Sequence, residues 1–163
     1  TGATTGFLAQ GRDAQFSISA TGAPLVLPTS GPARTVQMQF IGADPQSQIG
    51  GNGELSGKIS HLTGNQPSEW RVGIPTFARV QVTEIYPGIN LVYYGNQQRL
   101  EYDFNVAAGA QPDAITIRFS GADKISVNAQ GELVLQLGHD EMLQPRPEID
   151  QPINGVRQEI NGG

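Results

Sequence analysis

Cysteine is absent from the 163 residues, and with it go a disulfide framework, a thiolate metal site and a thiol nucleophile. Charge is scarce: Asp, Glu, Lys and Arg make up 15 % of the chain, against roughly 25 % in an average soluble domain. Ten basic residues against 15 acidic ones leave a net charge of −5, and no two basic residues are adjacent. A protein that tracks phosphates needs a positive footprint, so the balance argues against nucleic acid as a partner. No apolar run approaches the ~18 residues of a membrane span, so no membrane insertion is expected. Thr1 opens no charged-then-apolar leader, as expected of a mature fragment.

Catalytic signatures are missing too. There is no Gly-x-Ser-x-Gly elbow and no His-Glu-x-x-His pair. Gly57-Lys58 invites comparison with a phosphate-binding loop, but Asn52 stands where that loop needs its first glycine and Ile59 where it needs Ser or Thr. No segment has the length and 3.6-residue period of a helix.

Glycine and proline are plentiful, at 21 and 11 residues, and they punctuate short alternating segments. Gly6–Gln10, Gln15–Ser19 and Leu25–Leu27 read as strands. In Thr35–Ile41, Val36, Met38 and Phe40 alternate with polar residues, so one face is apolar and the other wet. Residues 42–57, dense in glycine and polar side chains, read as a long surface loop. Lys58–Leu62 reads as a strand, followed by a single helical turn, capped by Asn65 or Gln66 with Pro67 at its first position, that delivers Trp70 to the interior. From Trp70 to Phe104 the chain holds its only Trp and all four Tyr. Turns at Tyr86-Pro87-Gly88 and Gly95-Asn96 divide that stretch into a meander.

Beyond it, Leu100–Val106, Ile115–Phe119, Ile125–Val127 and Leu133–Leu137 alternate as consecutive hairpins, with turns at Pro112-Asp113 and Asn128–Gly131. Short strands at this spacing predict an all-β fold: one antiparallel β-sandwich with many hairpins and no long helix. A single domain over 1–163 is expected, with 145–163 as an edge strand or tail. The expected core is Trp70, Phe77, Ile85, Tyr102, Phe104, Ile117 and Leu135.

Candidate sites follow from side-chain chemistry. Glu101 and Asp103, two apart on one strand, share a face opposite Leu100, Tyr102 and Phe104. Tyr94 and Arg99 lie near them across the hairpin. These four and the 42–57 loop are the candidate contact residues, with Glu101 and Asp103 as the alternative glycosidase-like acid and base. Tyr93 and Tyr94 have opposite parity, so one points to each face. Asp44, Asn52 and Glu54 offer hard oxygens to calcium but lack the EF-hand spacing. His61 and His139 read as loop histidines. Lys58 and Lys124, the only lysines, are the candidates for an internal isopeptide crosslink. No cofactor is expected.

Several runs also carry a resemblance. Lys58-Ile-Ser-His-Leu-Thr-Gly-Asn65, Pro67-Ser-Glu-Trp70, Ile74-Pro-Thr-Phe-Ala-Arg-Val80, Ile85-Tyr-Pro-Gly-Ile-Asn-Leu-Val-Tyr-Tyr-Gly95 and Leu100-Glu-Tyr-Asp-Phe104 belong to it. So do Ala108-Gly-Ala-Gln-Pro112, Ile117-Arg-Phe-Ser-Gly-Ala-Asp123 and Gly131-Glu-Leu-Val-Leu135. Together they resemble an uncharacterised domain of bacterial surface proteins that precedes β-propeller-type SBBP repeats. The likeness covers about Phe7 to Ile160. It departs at Ser60-His61, where that family usually has Asn-Tyr, and the family domain continues past Gly163, which implies a cut C-terminal edge.

The resemblance implies export to the bacterial surface or exterior and neighbouring repeat domains as partners. It carries over no catalytic residue. The expected function is a non-enzymatic extracellular module for support or adhesion, with a glycan or protein as ligand. The alternative is a glycan-active enzyme using Glu101 and Asp103.

Overall fold

The computed structural model describes residues 6–10, 14–61, 66, 70–96, 99–153 and 156–160, with Gln10, His61, Ile153 and Arg157 described by backbone alone. Its described regular structure is almost entirely strand, arranged in several antiparallel sheets. The chain divides into two compact units, Thr1–Pro28 with Pro32–Gly121, and Thr29–Gly31 with Ala122–Gly163.

The first unit is a sandwich of two sheets. One has the order β1-β2-β3-β4-β9, formed by β1 (Phe7–Gln10), β2 (Gln15–Ile18), β3 (Gly22–Leu27), β4 (Arg34–Phe40) and β9 (Ile117–Ser120). The other runs β5-β6-β7-β8, formed by β5 (Gln48–His61), β6 (Arg71–Tyr86), β7 (Ile89–Asn96) and β8 (Arg99–Val106). Period-two patterning places the inner faces. Val36, Met38 and Phe40 of β4 point inward, as do Ile89, Leu91 and Tyr93 of β7, all buried. Each such aliphatic side chain contributes about 1.5–3 kcal/mol through removal from water.

Edge-to-face ring pairs join the sheets: Phe7 of β1 to Phe77 of β6, and Phe40 of β4 to Phe104 of β8, both with centroids 5.8 Å apart. Such pairs add about 0.5–1.5 kcal/mol beyond the area they bury. Tyr86, buried at the end of β6, donates its hydroxyl to the Ile41 carbonyl at 3.1 Å, with the Thr116 carbonyl at 3.5 Å. That satisfied hydroxyl ties the Tyr86-Pro87-Gly88 turn to the segments flanking β4 and β9, and burial raises its pKa.

In the second unit, β10 (Lys124–Val127), β11 (Leu133–Leu137) and β12 (Asp140–Gln144) form a meander, and β13 (Asp150–Ile153) pairs with β14 (Val156–Glu159). Asn128 closes the β10–β11 turn by accepting the N–H groups of Gln130 and Glu132 on its Oδ1 at 3.0 and 2.9 Å. The Asp140 carboxylate accepts both the N–H and the hydroxyl of Ser30 at 2.8 Å, which lowers its pKa, the backbone donor having the larger effect.

Four expectations need correction. Residues 42–57 are not one long loop: from Gln48 onward they form the greater part of β5, paired with β6. Glycine and asparagine conceal that strand, because period two shows in sequence only where apolar side chains mark the inner face. Strands β8 and β9 are not a hairpin; β9 crosses to the other sheet and pairs with β4.

Trp70 is not in the core but 39 % exposed, at the start of the arm where β6 has β5 but not β7 beside it. Phe77, Tyr102, Phe104 and Ile117 are only half-buried, whereas Ile85 and Leu135 are fully buried as expected. The residues expected to form the helical turn near Pro67 lie outside the described ones, apart from Gln66. The region 145–163 contains the β13–β14 hairpin.

Candidate functional site

Strand parity divides the β5–β8 sheet into two chemically different faces. Val82, Leu91 and Tyr93 point inward and are buried, while Gln81, Val92 and Tyr94 point outward. Register then lines up the outer face in rows. One runs Asn52, Arg79, Tyr94, Glu101 across the four strands, and the next runs Gly50, Gln81, Val92, Asp103.

Three of the four candidate ligand residues come together there. Tyr94 lies directly opposite Glu101, and its hydroxyl donates to Asp103 Oδ1 at 3.1 Å. Burial, reinforced by the hydrogen bond and charge of Asp103, pushes the Tyr94 pKa up to about 12. Asn96 Nδ2 donates to Glu101 Oε1 at 2.9 Å. Arg99 pairs with Asn96 at the end of β8, is exposed, and makes no ion pair with either carboxylate among the described residues.

Sequence reasoning took the β5 part of this face for a contact loop and Asn52 for a calcium ligand, and missed Gln81 and Thr83. Asn52 Nδ2 donates to Gln81 Oε1 at 3.3 Å, and Gln81 Nε2 reaches Thr83 Oγ1 at 3.5 Å. Beside this chain lies a shallow depression of about 260 Å³ lined by Gln48, Ile49, Gly50, Asn52, Gln81 and Thr83. The available signal was in β6, where Gln81 and Thr83 alternate with Val80 and Val82 and so mark a polar outer face for any strand paired there.

The local backbone holds that end in place. Glu84, next to Thr83, has a φ of 54°, which is uncommon for a residue with a side chain. Its N–H donates to Asn90 Oδ1 at 2.8 Å and its carbonyl accepts from Ser47 Oγ at 2.9 Å. It marks the bulge where the β6–β7 register shifts between Val82 and Tyr86.

The remaining candidates do not converge. Asp44 sits in the turn before β5, where its Oδ1 accepts the Gln46 N–H at 2.8 Å, while Asn52 and Glu54 are strand residues. Among the described residues no group of three or more His, Asp or Glu side chains could hold a metal ion. The side chain of His61 lies outside the described residues, and His139 is exposed between β11 and β12. Lys58 and Lys124 are both exposed strand residues, opposite Pro75 and Gln136. Among the described residues no helix is long and apolar enough to cross a membrane.

The chain belongs to the family described as "Domain of unknown function (DUF7948)", whose model matches residues 5–163. No curated protein and no solved structure matches it.

Proposed function

We propose that this chain is a non-catalytic extracellular module of a bacterial surface or secreted protein, and that the outer face of its β5–β8 sheet binds a hydroxyl-rich ligand of the glycan class. The observation that carries this reading is the gathering on one open face of Tyr94 with Asp103, Asn96 with Glu101, and Asn52 with Gln81 and Thr83. Amides, carboxylates and hydroxyls oriented by one another are matched to sugar hydroxyls, which both donate and accept. Neighbouring domains of the SBBP-repeat type are its proposed partners in the parent protein, and adhesion is the role such a face serves.

The competing reading, a glycan-active enzyme using Glu101 and Asp103, has less support. Both carboxylates are engaged by neutral side-chain donors and stand on a sheet face, not in a closed cleft. General acid catalysis is favoured by an environment that keeps the acid protonated near neutral pH.

A glycan array with the purified chain, followed by turnover assays on each positive glycan, tests the proposal. Binding without turnover is expected, weakened about tenfold or more in Tyr94→Ala and Asp103→Ala. Turnover abolished by Glu101→Gln would establish the enzyme reading instead. Absence of binding to every glycan would overturn the proposal.

A further inference from the structure

The two halves of the polar face are joined by a continuous lane, and its dimensions describe what would fill it. The rows Gly50, Gln81, Val92, Asp103 and Asn52, Arg79, Tyr94, Glu101 each cross all four strands. Neighbouring strands are about 4.8 Å apart, so the lane is roughly 14 Å from β5 to β8. A pyranose ring is about as broad as one strand spacing, so each unit of a linear chain laid across the strands covers about one strand.

Chemistry changes along the lane in a matching sequence. At the β5 end lies the depression, lined by the side chains of Gln48, Asn52, Gln81 and Thr83, all of them neutral. The half-buried Val92 in the middle offers an apolar seat for the C–H face of a sugar ring. At the β8 end the Tyr94 hydroxyl, Asp103 and Glu101 offer oriented oxygens. Two guanidiniums, Arg79 in the rows and Arg99 opposite Asn96 beside them, balance these two carboxylates, so the face carries no net charge that would favour a polyanion.

We infer that the face takes a neutral, unbranched oligosaccharide laid across the strands, about three units being read, with the depression beside Gly50 as one terminal subsite. This rests on the glycan-binding reading above and adds the length, charge and direction of the ligand. Gly50 is the position that tests it. A β-carbon there would meet no atom within 4 Å, so a side chain at Gly50 occupies the depression without disturbing the sheet.

The experiment is calorimetric titration of the purified chain with cello-, manno- and xylo-oligosaccharides from monomer to hexamer, and with the matching oligogalacturonates. Affinity for at least one neutral series is expected to rise about tenfold with each unit added from monomer to trimer and then level off. Gly50→Gln, with its melting temperature unchanged, is expected to cut trimer affinity about tenfold, to the level of the dimer. Affinity that keeps climbing to the hexamer, or is indifferent to Gly50→Gln, would overturn the lane while leaving glycan binding intact. Preference for the galacturonates would overturn the neutral-ligand assignment. Failure of every series to bind, on an array that is also blank, would remove the underlying reading as well.

Discussion

The ring of Phe77 lies against the bare backbone of Gly51, so close that a β-carbon on Gly51 would overlap its Cγ and both Cδ atoms. Gly51 is on β5 and Phe77 on β6, displaced along the ladder, and the same ring meets Phe7 of the opposite sheet edge-to-face. An aromatic side chain covering a strand glycine from a neighbouring strand is a recognised way of stabilising a glycine-rich strand. It accounts for a segment as polar as Gln48–Gly57 being held in a sheet.

Gly51→Ala should therefore destabilise the protein by about 1–3 kcal/mol, because the ring must leave its place between the strand and Phe7. Urea unfolding checks this. In a double-mutant cycle with Phe77→Leu the two costs should be clearly less than additive, since either change breaks the same contact. Additive costs would show that the ring and the glycine do not interact.

Tyr93 buries its hydroxyl without a hydrogen-bond partner among the described residues, 6.0 Å ring to ring from Tyr102. Desolvation raises its pKa, a smaller contribution coming from Tyr102. An unsatisfied buried hydroxyl costs about 1–3 kcal/mol, so Tyr93→Phe should be neutral or stabilising by about 1 kcal/mol in urea unfolding. A clear loss of stability would show that the hydroxyl is bonded in solution.

Glu84 holds a left-handed backbone with its N–H on Asn90 Oδ1. Glycine adopts that conformation without the β-carbon clash, at some cost in chain entropy. Glu84→Gly should consequently raise stability by about 0.5–1 kcal/mol. Asn90→Ala should lower it by about 1 kcal/mol, through the lost backbone donor contact. Thermal melts of the two variants should move in opposite directions.

The Tyr94 hydroxyl has its pKa raised from 10.0 to about 12 by burial and by Asp103. Because the folded state holds this proton more tightly, the associated stability is fully present below pH 10 and is lost as pH rises through about 12. In a phenolate absorbance titration, the step missing from Tyr94→Phe should be the one near pH 12. Asp103→Asn should move that step downward but leave it above 10, since burial remains the larger cause. A Tyr94 step at the ordinary tyrosine value would show that the phenol is solvated and free of Asp103.

Much of the strand inventory could be read along the chain, and each success has the same origin. Val36, Met38 and Phe40, or Ile89, Leu91 and Tyr93, repeat every second residue, and that repeat is the pleat itself. The parity of Tyr93 and Tyr94 likewise placed one phenol inside and one outside. Trp70 was misplaced because ring size measures how much area a side chain can bury, not whether a second layer lies above it. Among the described residues no third strand adjoins the far arm of β6.

Composition and local periodicity determined that this chain would form short antiparallel strands, that Glu101 and Asp103 would share one face of theirs, and that no thiol chemistry would be available. These are properties of single segments, fixed by side-chain alternation and residue type. Only the tertiary structure decided that β5 pairs with β6, that β9 leaves β8 for β4, and that Asn52 and Gln81 therefore stand beside the tyrosine and its carboxylates. Pairing between strands distant in sequence depends on which inner faces fill each other's space. Polar residues on an outer face contribute little to that choice: the alternation of Gln81 and Thr83 with Val80 and Val82 marks a polar side of β6 but not which strands stand beside it.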